Sequence, residues 1–209
     1  MDVLIVAATS FEIQPLLSFL KKQKACVAIT GVGCPVSVYM ITKAIRQYKP
    51  QLVIQAGIAG CFDRDIGLGA VAAVTEDRFG DIGVMEQKQW RSVFDMGFAA
   101  RDSKPFKDGR LKNPNKTILK KSGLKQLAAV TVNEITTNKM RINLLREEGI
   151  ALESMEGAAL HYAALMEKVP FLQIRAVSNY VGERNKNKWN IKDAISNLNA
   201  ELKRIVGGL

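Results

Sequence analysis

Short apolar runs recur along the chain, and each ends in a turn of glycine or polar residues. A run of about six apolar residues bounded by turn signals predicts a strand that is buried on both faces. The turns "TGVG" and "AGIAG" close two of these runs. The predicted strands lie at residues 3–8, 25–33 (with its glycine turn), 51–60, 70–76, 127–132 and 171–178.

Segments with helical spacing of apolar residues separate the strands. They predict helices at residues 11–20, 138–148, 155–167 and 191–206. Pro35 is suited to the first turn of one more helix, because its fixed φ is compatible with that position. Strands that alternate with helices indicate an α/β domain built in layers.

The stretch "LESMEGAALHYAAL" (152–165) predicts a helix that is apolar over much of its circumference. Such a helix is normally buried on several sides. Yet Glu153 and Glu156 are three residues apart, so they share one face of its predicted first turn. An acidic side chain at a helix N-terminus is stabilised by about 0.3–1 kcal/mol. Helix stabilisation and a functional site therefore both explain these carboxylates at this point.

Length and composition indicate an ordinary globular protein. With 209 residues, 47% of them hydrophobic, we expect a single domain over residues 1–209. No run approaches the roughly 20 apolar residues of a membrane span, and the N-terminus lacks the basic start of a signal peptide. Cys26, Cys34 and Cys61 have no CxxC spacing. This cysteine usage favours reduced thiols, a cytoplasmic location and no metal site.

The positive charge is concentrated in one segment. Residues 101–125 hold nine basic and two acidic residues, which accounts for +7 of the net charge of +10. The segment resembles an insertion, and its only aromatic residue is Phe106, so it lacks the stacking platform of a nucleic-acid-binding surface. It predicts either a solvated surface or a cationic rim that attracts a small anionic substrate, and no nucleic-acid or membrane partner.

Three carboxylates, Glu12, Glu153 and Glu156, follow predicted strand ends, where ligand sites of α/β sheets gather. Familiar nucleotide and hydrolase motifs are missing. "GVGCPV" has Val36 where a dinucleotide-binding motif has its third glycine, and there is no P-loop and no GxSxG. His161, the one histidine, lies inside the apolar predicted helix and is expected in the core. Catalysis by a Ser–His pair is therefore disfavoured.

Several motifs, in this order and spacing, carry a family resemblance. "AATSFEI", "GVG", "QAGIAG", "ESMEGAA" and "IRAVSNYVG" resemble the nucleoside phosphorylase/nucleosidase superfamily over nearly the whole chain, above all methylthioadenosine/S-adenosylhomocysteine nucleosidases and futalosine hydrolases. "SNYVGERNKNKW" and "RFGDIGVMEQKQW" most resemble futalosine hydrolases, which release hypoxanthine from futalosine in menaquinone biosynthesis. The resemblance implies a three-layer α/β/α fold with a central mixed twisted sheet. It also implies a homodimer, a small-molecule nucleoside substrate, no metal and no organic cofactor.

The resemblance also assigns roles to particular residues. It implies that Glu156 accepts hydrogen bonds from the ribose hydroxyls, that Met155 packs on the sugar and that Glu12 is the general base that activates water. Negative charge near the ribose stabilises a ring that becomes cationic as the glycosidic bond breaks. Further substrate-binding positions are implied at Gly57, Ile58, Phe62, Ile135, Thr136, Glu153, Ser178 and Arg184.

Asn179 departs from the pattern of adenine-specific nucleosidases, which have an aspartate here that protonates N7 of the leaving purine. An amide is both a donor and an acceptor and suits hypoxanthine, but the source of the N7 proton stays unassigned. "TSFEIQ" carries a carboxylate and no arginine, which would repel phosphate and favours hydrolysis. An adenine-releasing nucleosidase, a phosphorylase and a nucleoside-binding module without catalysis remain alternatives.

Overall fold

The structure, a computed structural model, describes residues 2–87 and 89–209; Met1 and Lys88, the latter within "RFGDIGVMEQKQW", lie outside the described residues. Ten strands are present in the described chain. Eight form one mixed sheet, and β5 and β6 form a separate antiparallel pair. The strands are β1 (Val3–Ala7), β2 (Cys26–Ile29), β3 (Leu52–Cys61), β4 (Val71–Asp77), β5 (Gly83–Glu86), β6 (Gln89–Ser92), β7 (Leu111–Lys112), β8 (Lys125–Thr131), β9 (Leu152–Ser154) and β10 (Phe171–Tyr180).

The large sheet closes partly on itself. Its strand order is β10-β4-β8-β9-β3-β1-β2, β7 pairs with β4, and β10 also pairs with β3. Strands β3, β10, β4, β8 and β9 therefore form a ring, from which β1 and β2 extend as parallel strands. The helices are α1 (Ser10–Ile13), α2 (Leu17–Lys22), α3 (Cys34–Tyr48), α4 (Lys116–Lys121), α5 (Lys139–Glu147), α6 (Gly157–Glu167) and α7 (Ile191–Gly207).

Helices cover both faces of this sheet, as the packing of successive residues of β1 into different apolar clusters shows. Ile5 packs in one apolar cluster with α1, α2 and α7, whereas Leu4 packs in another with α3 and α6. Successive residues of a strand point to opposite faces, so β1 is buried on both sides. The three layers confirm the predicted α/β class with a central mixed sheet.

Two local predictions were wrong. The helix predicted at residues 11–20 is divided into α1, a 3₁₀ turn (Gln14–Leu16) and α2, because Pro15 lacks the N–H that a continuous helix requires. The stretch 152–156 is not the first turn of a helix. Leu152–Ser154 form β9, and α6 begins only at Gly157. Glu153 therefore lies on a strand, and Glu156 occupies the N-cap position of α6.

The C-terminal half of the basic segment 101–125 is built into the sheet. Leu111 is fully buried on β7, and the Asn113 side chain donates a hydrogen bond to the Phe171 carbonyl (2.9 Å). Leu119 on α4 packs in the same apolar cluster as β1 and α7. The charged side chains of this half project from a packed backbone rather than from a free loop.

Within the described residues, no helix has both the length and the apolar character that crossing a membrane requires.

His161 is fully buried, which confirms its predicted place in the core. Its Nδ1 donates to the Leu111 carbonyl (2.8 Å), and its ring packs edge-on against Phe171. Near it lies Asp77, whose Oδ1 accepts hydrogen bonds from the Arg78 amide (2.8 Å) and the Thr131 hydroxyl (3.0 Å). The core beneath α6 thus contains a buried acid and a buried base.

We expect these two groups to give opposite dependences of stability on pH. Burial raises the pKa of Asp77 to about 6, against the opposing effects of Thr131 and Arg175, and burial lowers the pKa of His161 to about 4. The contribution of Asp77 is present below its unfolded pKa and lost as the pH rises through about 6. The contribution of His161 is present above pH 6.5 and lost as the pH falls toward 4. Between pH 4 and 6 the two largely offset each other.

Asp77→Asn should remove this compensation. Its free energy of unfolding is expected to fall more steeply than that of the wild type between pH 6 and 4, by about 2–3 kcal/mol over the two pH units. Urea denaturation at several pH values measures this difference. Asp65→Asn, at an exposed aspartate, serves as the control. Parallel curves for wild type and Asp77→Asn would contradict the prediction.

Candidate active site

One pocket of about 380 Å³ opens where β1, β3 and β10 end. Ligand sites of parallel sheets gather at this edge, because the loops after the strands leave room there. Most of the residues predicted to form the site line this pocket. They are Glu12, Ile58, Ile135, Glu153, Met155, Glu156, Ser178, Asn179 and Arg184.

Glu12 is fixed at the start of α1, directly after β1. Its Oε2 accepts hydrogen bonds from the amide (3.0 Å) and the hydroxyl (3.1 Å) of Thr9, which forms a capping box with it. Its Oε1 accepts the amide of Ile58 on β3 (3.1 Å). Glu12 is only 6% exposed, and three donors, two from Thr9 and one from Ile58, hold its carboxylate at the pocket.

Glu156 sits at the N-cap position of α6 but does not cap the helix with its own side chain. Side chains of neighbouring strands cap it instead. The Ser154 hydroxyl accepts the Gly157 amide (3.1 Å), and the Thr131 hydroxyl accepts the Ala158 amide (2.7 Å). The Glu156 carboxylate is therefore free to face the pocket, where its Oε1 accepts the amide of Gly33 (3.0 Å).

Arg175 is a site residue that the sequence reasoning missed. It is 1% exposed on β10, and its Nη1 lies 3.9 Å from Oε2 of Glu156. A Cβ at Gly57 would lie 2.3 Å from Arg175 Nη1 and 3.0 Å from Glu12 Oε1, so the guanidinium also reaches the neighbourhood of Glu12. Gly57 itself makes room for this approach. The signal in the sequence was a charged residue inside the otherwise apolar strand "FLQIRAVS".

Glu153 and Asn179 flank Gly60 on neighbouring strands. Gly60 pairs with Glu153 of β9 on one side and with Asn179 of β10 on the other. A Cβ at Gly60 would lie 3.4 Å from Nδ2 of Asn179 and 3.9 Å from the backbone oxygen of Glu153, so glycine leaves space beside the Asn179 side chain. Oε1 of Glu153 accepts the Thr136 amide (3.1 Å), while its Oε2 has no hydrogen-bond partner within the described residues. Burial raises the pKa of Glu153, and the Thr136 hydrogen bonds oppose this shift.

Asn179 is oriented by its neighbours. Its Oδ1 accepts the Ser178 hydroxyl (2.9 Å), and its Nδ2 donates to the Tyr180 carbonyl (3.2 Å). The Ser178 hydroxyl also lies 3.2 Å from the Ala59 carbonyl, which ties it to β3. These hydrogen bonds fix the orientation of the Asn179 side-chain amide at the pocket.

Three predicted site residues do not line the pocket. Phe62 is 4% exposed and packs in an apolar cluster with Val130, Leu145 and Ile150, so it belongs to the core rather than to the pocket wall. Gly57 lies behind the wall, beside Arg175. Thr136 supports Glu153 through its amide.

The mouth of the pocket is formed by residues that the sequence analysis did not single out, together with Arg184. Phe11 and Val32 are 60% and 57% exposed there. Trp189 is held by a hydrogen bond from its Nε1 to the Glu183 carbonyl (3.0 Å). The Arg184 guanidinium lies 5.7 Å from the centre of the Trp189 ring.

The sequence of the chain is similar to those of several enzymes. The chain is 30% identical over 184 residues to the futalosine hydrolase of Thermus thermophilus, covering 85% of this chain and 79% of that enzyme. It is 30% identical over 152 residues to the futalosine hydrolase of Streptomyces coelicolor, covering 70% of this chain but only 61% of that enzyme's length. It is 27% identical over 161 residues to the 5'-methylthioadenosine/S-adenosylhomocysteine nucleosidase of Aeromonas salmonicida, covering 74% of this chain and 67% of that enzyme.

Solved structures show the same fold at lower identity. The 5'-methylthioadenosine/S-adenosylhomocysteine nucleosidase of Neisseria meningitidis, in complex with methylthio-immucillin-A, matches with a TM-score of 0.81 and 19% identity over 100% of this chain and 99% of that one. The futalosine hydrolase of Helicobacter pylori matches with a TM-score of 0.79 and 17% identity over 100% and 98%. The family model of the phosphorylase superfamily matches residues 11–207. The chain belongs to the phosphorylase superfamily.

Proposed function

We propose that this protein hydrolyses the N-glycosidic bond of futalosine and releases hypoxanthine. The observation that carries the proposal is the arrangement of Glu12 and Glu156 on one pocket, with Arg175 close to both carboxylates. Cleavage of an N-glycoside requires a nucleophile at the anomeric carbon and stabilisation of a cationic ribosyl ring. Two carboxylates, each held in place by its own hydrogen bonds, are suited to these two tasks.

In this proposal Glu12 is the general base. Within the described residues its Oε2 accepts two hydrogen bonds from Thr9, whereas its Oε1 accepts only one, from Ile58. A carboxylate oxygen has two acceptor sites, so Oε1 keeps one for a water molecule. The water would lose its proton to Glu12 as it attacks the sugar.

Glu156 takes the ribose in this proposal. With Oε1 bound to the Gly33 amide, its Oε2 faces Arg175 and the pocket. A carboxylate makes charge-assisted hydrogen bonds to vicinal hydroxyls and stabilises the positive charge that develops on the ring. Met155 lines the same wall and would pack on the sugar.

Hydrolysis fits the charges of the pocket better than phosphorolysis. Glu12, Glu153 and Glu156 all line it. Arg175 is buried, and its Nη2 donates to Gln55 (3.0 Å). Among the pocket-lining residues that the structure describes, the basic side chain is Arg184 at the mouth. A phosphate ion beside Glu12 would therefore meet more negative than positive charge.

Asn179 and Glu153 would contact the base. Asn179 can donate to O6 of a 6-oxopurine and accept from N7–H as the base leaves. Glu153, across Gly60, has an unpartnered oxygen that suits the N1–H of hypoxanthine. Ile135, Ile58 and Ser178 complete this wall of the pocket.

The resemblance to nucleosidases leads us to propose further properties. We expect a homodimer, and the exposed apolar side chains of Phe11, Val32, Val36 and Tyr39 are compatible with a covered surface. We expect a single domain and a cytoplasmic location.

A substrate panel tests the proposed function. Futalosine, inosine and methylthioadenosine are incubated with the protein, with and without phosphate, and the released base is identified. We expect hypoxanthine from futalosine at a rate that does not depend on phosphate. Preferential release of adenine from methylthioadenosine would identify an adenine-specific nucleosidase, dependence on phosphate would identify a phosphorylase, and binding without turnover would identify a binding module.

Asn179→Asp should change which base is released. A 6-oxopurine pairs with both groups of the asparagine, whereas adenine leaves one of them unpaired, and an unpaired buried group costs about 1–3 kcal/mol. The wild type should thus prefer futalosine over methylthioadenosine by about ten- to a hundredfold from this contact, and the variant should narrow that ratio. Measurement of kcat/KM for both substrates with both proteins decides the matter. An unchanged ratio would remove Asn179 from base recognition.

A further inference from the structure

Gln55 is a buried amide that the proposed chemistry does not use. It is 1% exposed on β3, where that strand lies between β1 and β10. Its Nε2 donates a hydrogen bond to the Glu156 carbonyl (3.1 Å), and its Oε1 accepts one from Nη2 of Arg175 (3.0 Å). Because a carbonyl only accepts and a guanidinium only donates, these two partners fix the orientation of the amide. Gln55 therefore connects the main chain of Glu156 to the side chain of Arg175.

The turn before α6 sets the position of the Glu156 carboxylate. Glu156 has φ −136° and ψ −6°, outside the helical conformation, and α6 begins at the next residue. The hydroxyls of Ser154 on β9 and Thr131 on β8 accept hydrogen bonds from the amides of the two residues that follow. Gln55 holds the same turn at its carbonyl group. Because a side chain extends from its own main chain, a shift of this turn would move the carboxylate relative to the ribose.

Gln55 also restrains the Arg175 guanidinium, which lies beside the Glu156 carboxylate. Nη1 of Arg175 lies 3.4 Å from the Ile58 carbonyl and 3.9 Å from Oε2 of Glu156. The guanidinium is planar and rigid, so the hydrogen bond at Nη2 also limits where Nη1 can lie. The negative field of Glu156 at the ribose depends on this distance, because a closer positive charge neutralises more of it. Loss of the Gln55 acceptor would allow the distance to change.

Resting on the proposed function, we propose that Gln55 is a positioning residue for Glu156. Its N–H group holds the Glu156 main chain, and its oxygen keeps Arg175 at a set distance from the carboxylate. Gln55 is not among the described residues that line the pocket, so it acts through Glu156 and Arg175 rather than on the substrate. Its contribution is to keep the negative charge at the place where the ribosyl ring becomes cationic.

Gln55→Met tests this role, because methionine has the length of glutamine but no N–H donor and only a weak acceptor. We expect kcat on futalosine to fall about 10–100-fold through misplacement of the carboxylate, with only a few-fold change in KM. Steady-state kinetics on futalosine gives both constants.

Asn113→Leu is the matched control. Asn113 is also a buried amide, and its side chain donates to the Phe171 carbonyl (2.9 Å) and accepts the Asn115 amide (2.9 Å). These contacts lie at the start of β10, whereas the pocket opens where that strand ends. Replacement of Asn113 should lower the temperature of unfolding but leave kcat and KM unchanged.

A double-mutant cycle measures whether Gln55 acts through Glu156. In a Glu156→Gln background the negative charge is already absent, so its placement no longer matters. We expect Gln55→Met to lower kcat by no more than about twofold in this background. A general loosening of the fold would instead lower kcat by the same factor in both backgrounds.

Gln55→Glu is a second variant for the case that Gln55→Met is poorly folded. Its carboxylate still accepts from Arg175, so the buried guanidinium keeps a partner, but the N–H donor to the Glu156 carbonyl is lost. The new negative charge also competes with Glu156 for Arg175. We expect a fall in kcat at least as large as that in Gln55→Met. Thermal unfolding of every variant confirms that it is folded.

The outcomes separate this proposal from the proposed function. If the wild type cleaves futalosine and folded Gln55→Met or Gln55→Glu keeps its kcat, the positioning role is overturned and the function stands. An equal loss of kcat in Asn113→Leu, or an equal loss in both backgrounds of the cycle, would also overturn it. If the wild type cleaves methylthioadenosine and leaves futalosine intact, the proposed function fails, and the same cycle with methylthioadenosine decides the role of Gln55.

Discussion

Glu12→Gln is expected to lower kcat by about 10²–10⁴, the usual contribution of a positioned general base. The amide cannot take the proton of the attacking water, although it occupies the same space. Binding of the nucleoside should change only a few-fold, because Glu12 acts on the water rather than on the substrate. Single-turnover cleavage and equilibrium binding, measured on the same preparation, separate the two effects.

The structure adds an effect on stability to this prediction. Each oxygen of Glu12 accepts a backbone amide, from Thr9 at Oε2 and from Ile58 at Oε1. Whichever way the glutamine amide turns, its NH₂ group faces one of these N–H donors, and one buried group loses its partner at a cost of about 1–3 kcal/mol. Glu134→Gln, at an exposed loop position, should show neither effect. Near-normal single-turnover cleavage by Glu12→Gln would remove Glu12 from the mechanism.

Glu156→Gln is expected to lower kcat by about 10²–10³ with a smaller change in KM. The glutamine oxygen can keep the hydrogen bond from Gly33, and its NH₂ group can still contact a hydroxyl. The negative charge that stabilises the ribosyl cation is gone, and this loss is felt mainly in the transition state. Steady-state kinetics on futalosine gives both constants.

Inhibitor binding is a second test of the role proposed for Glu156. Glu156→Gln should weaken the binding of a cationic ribosyl mimic of the transition state far more than it weakens the binding of the uncharged product. Glu167→Gln, at the other end of α6, is a matched control, because Glu167 pairs with Arg46 on the surface and does not line the pocket. An unchanged kcat with a raised KM would make Glu156 a simple binding residue.

Local pattern determines much of the architecture. The apolar runs that predicted strands at residues 3–8, 51–60 and 171–178 correspond to β1, β3 and β10, because a strand buried on both faces carries this signal in its own residues. The same logic located Glu12 and Asn179 at the pocket, since residues that directly follow or end such strands gather at one edge of the sheet.

Tertiary structure decided what no local pattern contains. Leu152–Ser154 became a strand because β3 and β8 pair with it, although its own three residues are too few to show alternation. Phe62 follows a glycine turn, as a ligand contact would, but the surrounding apolar side chains place it in the core. Arg175 joined the site because strand pairing brings β10 beside β3 and because Gly57 leaves space for its guanidinium. Each of these outcomes depends on contacts between residues far apart in the chain. The energies of these contacts exceed the conformational preference of the local segment, and the local sequence does not reveal them.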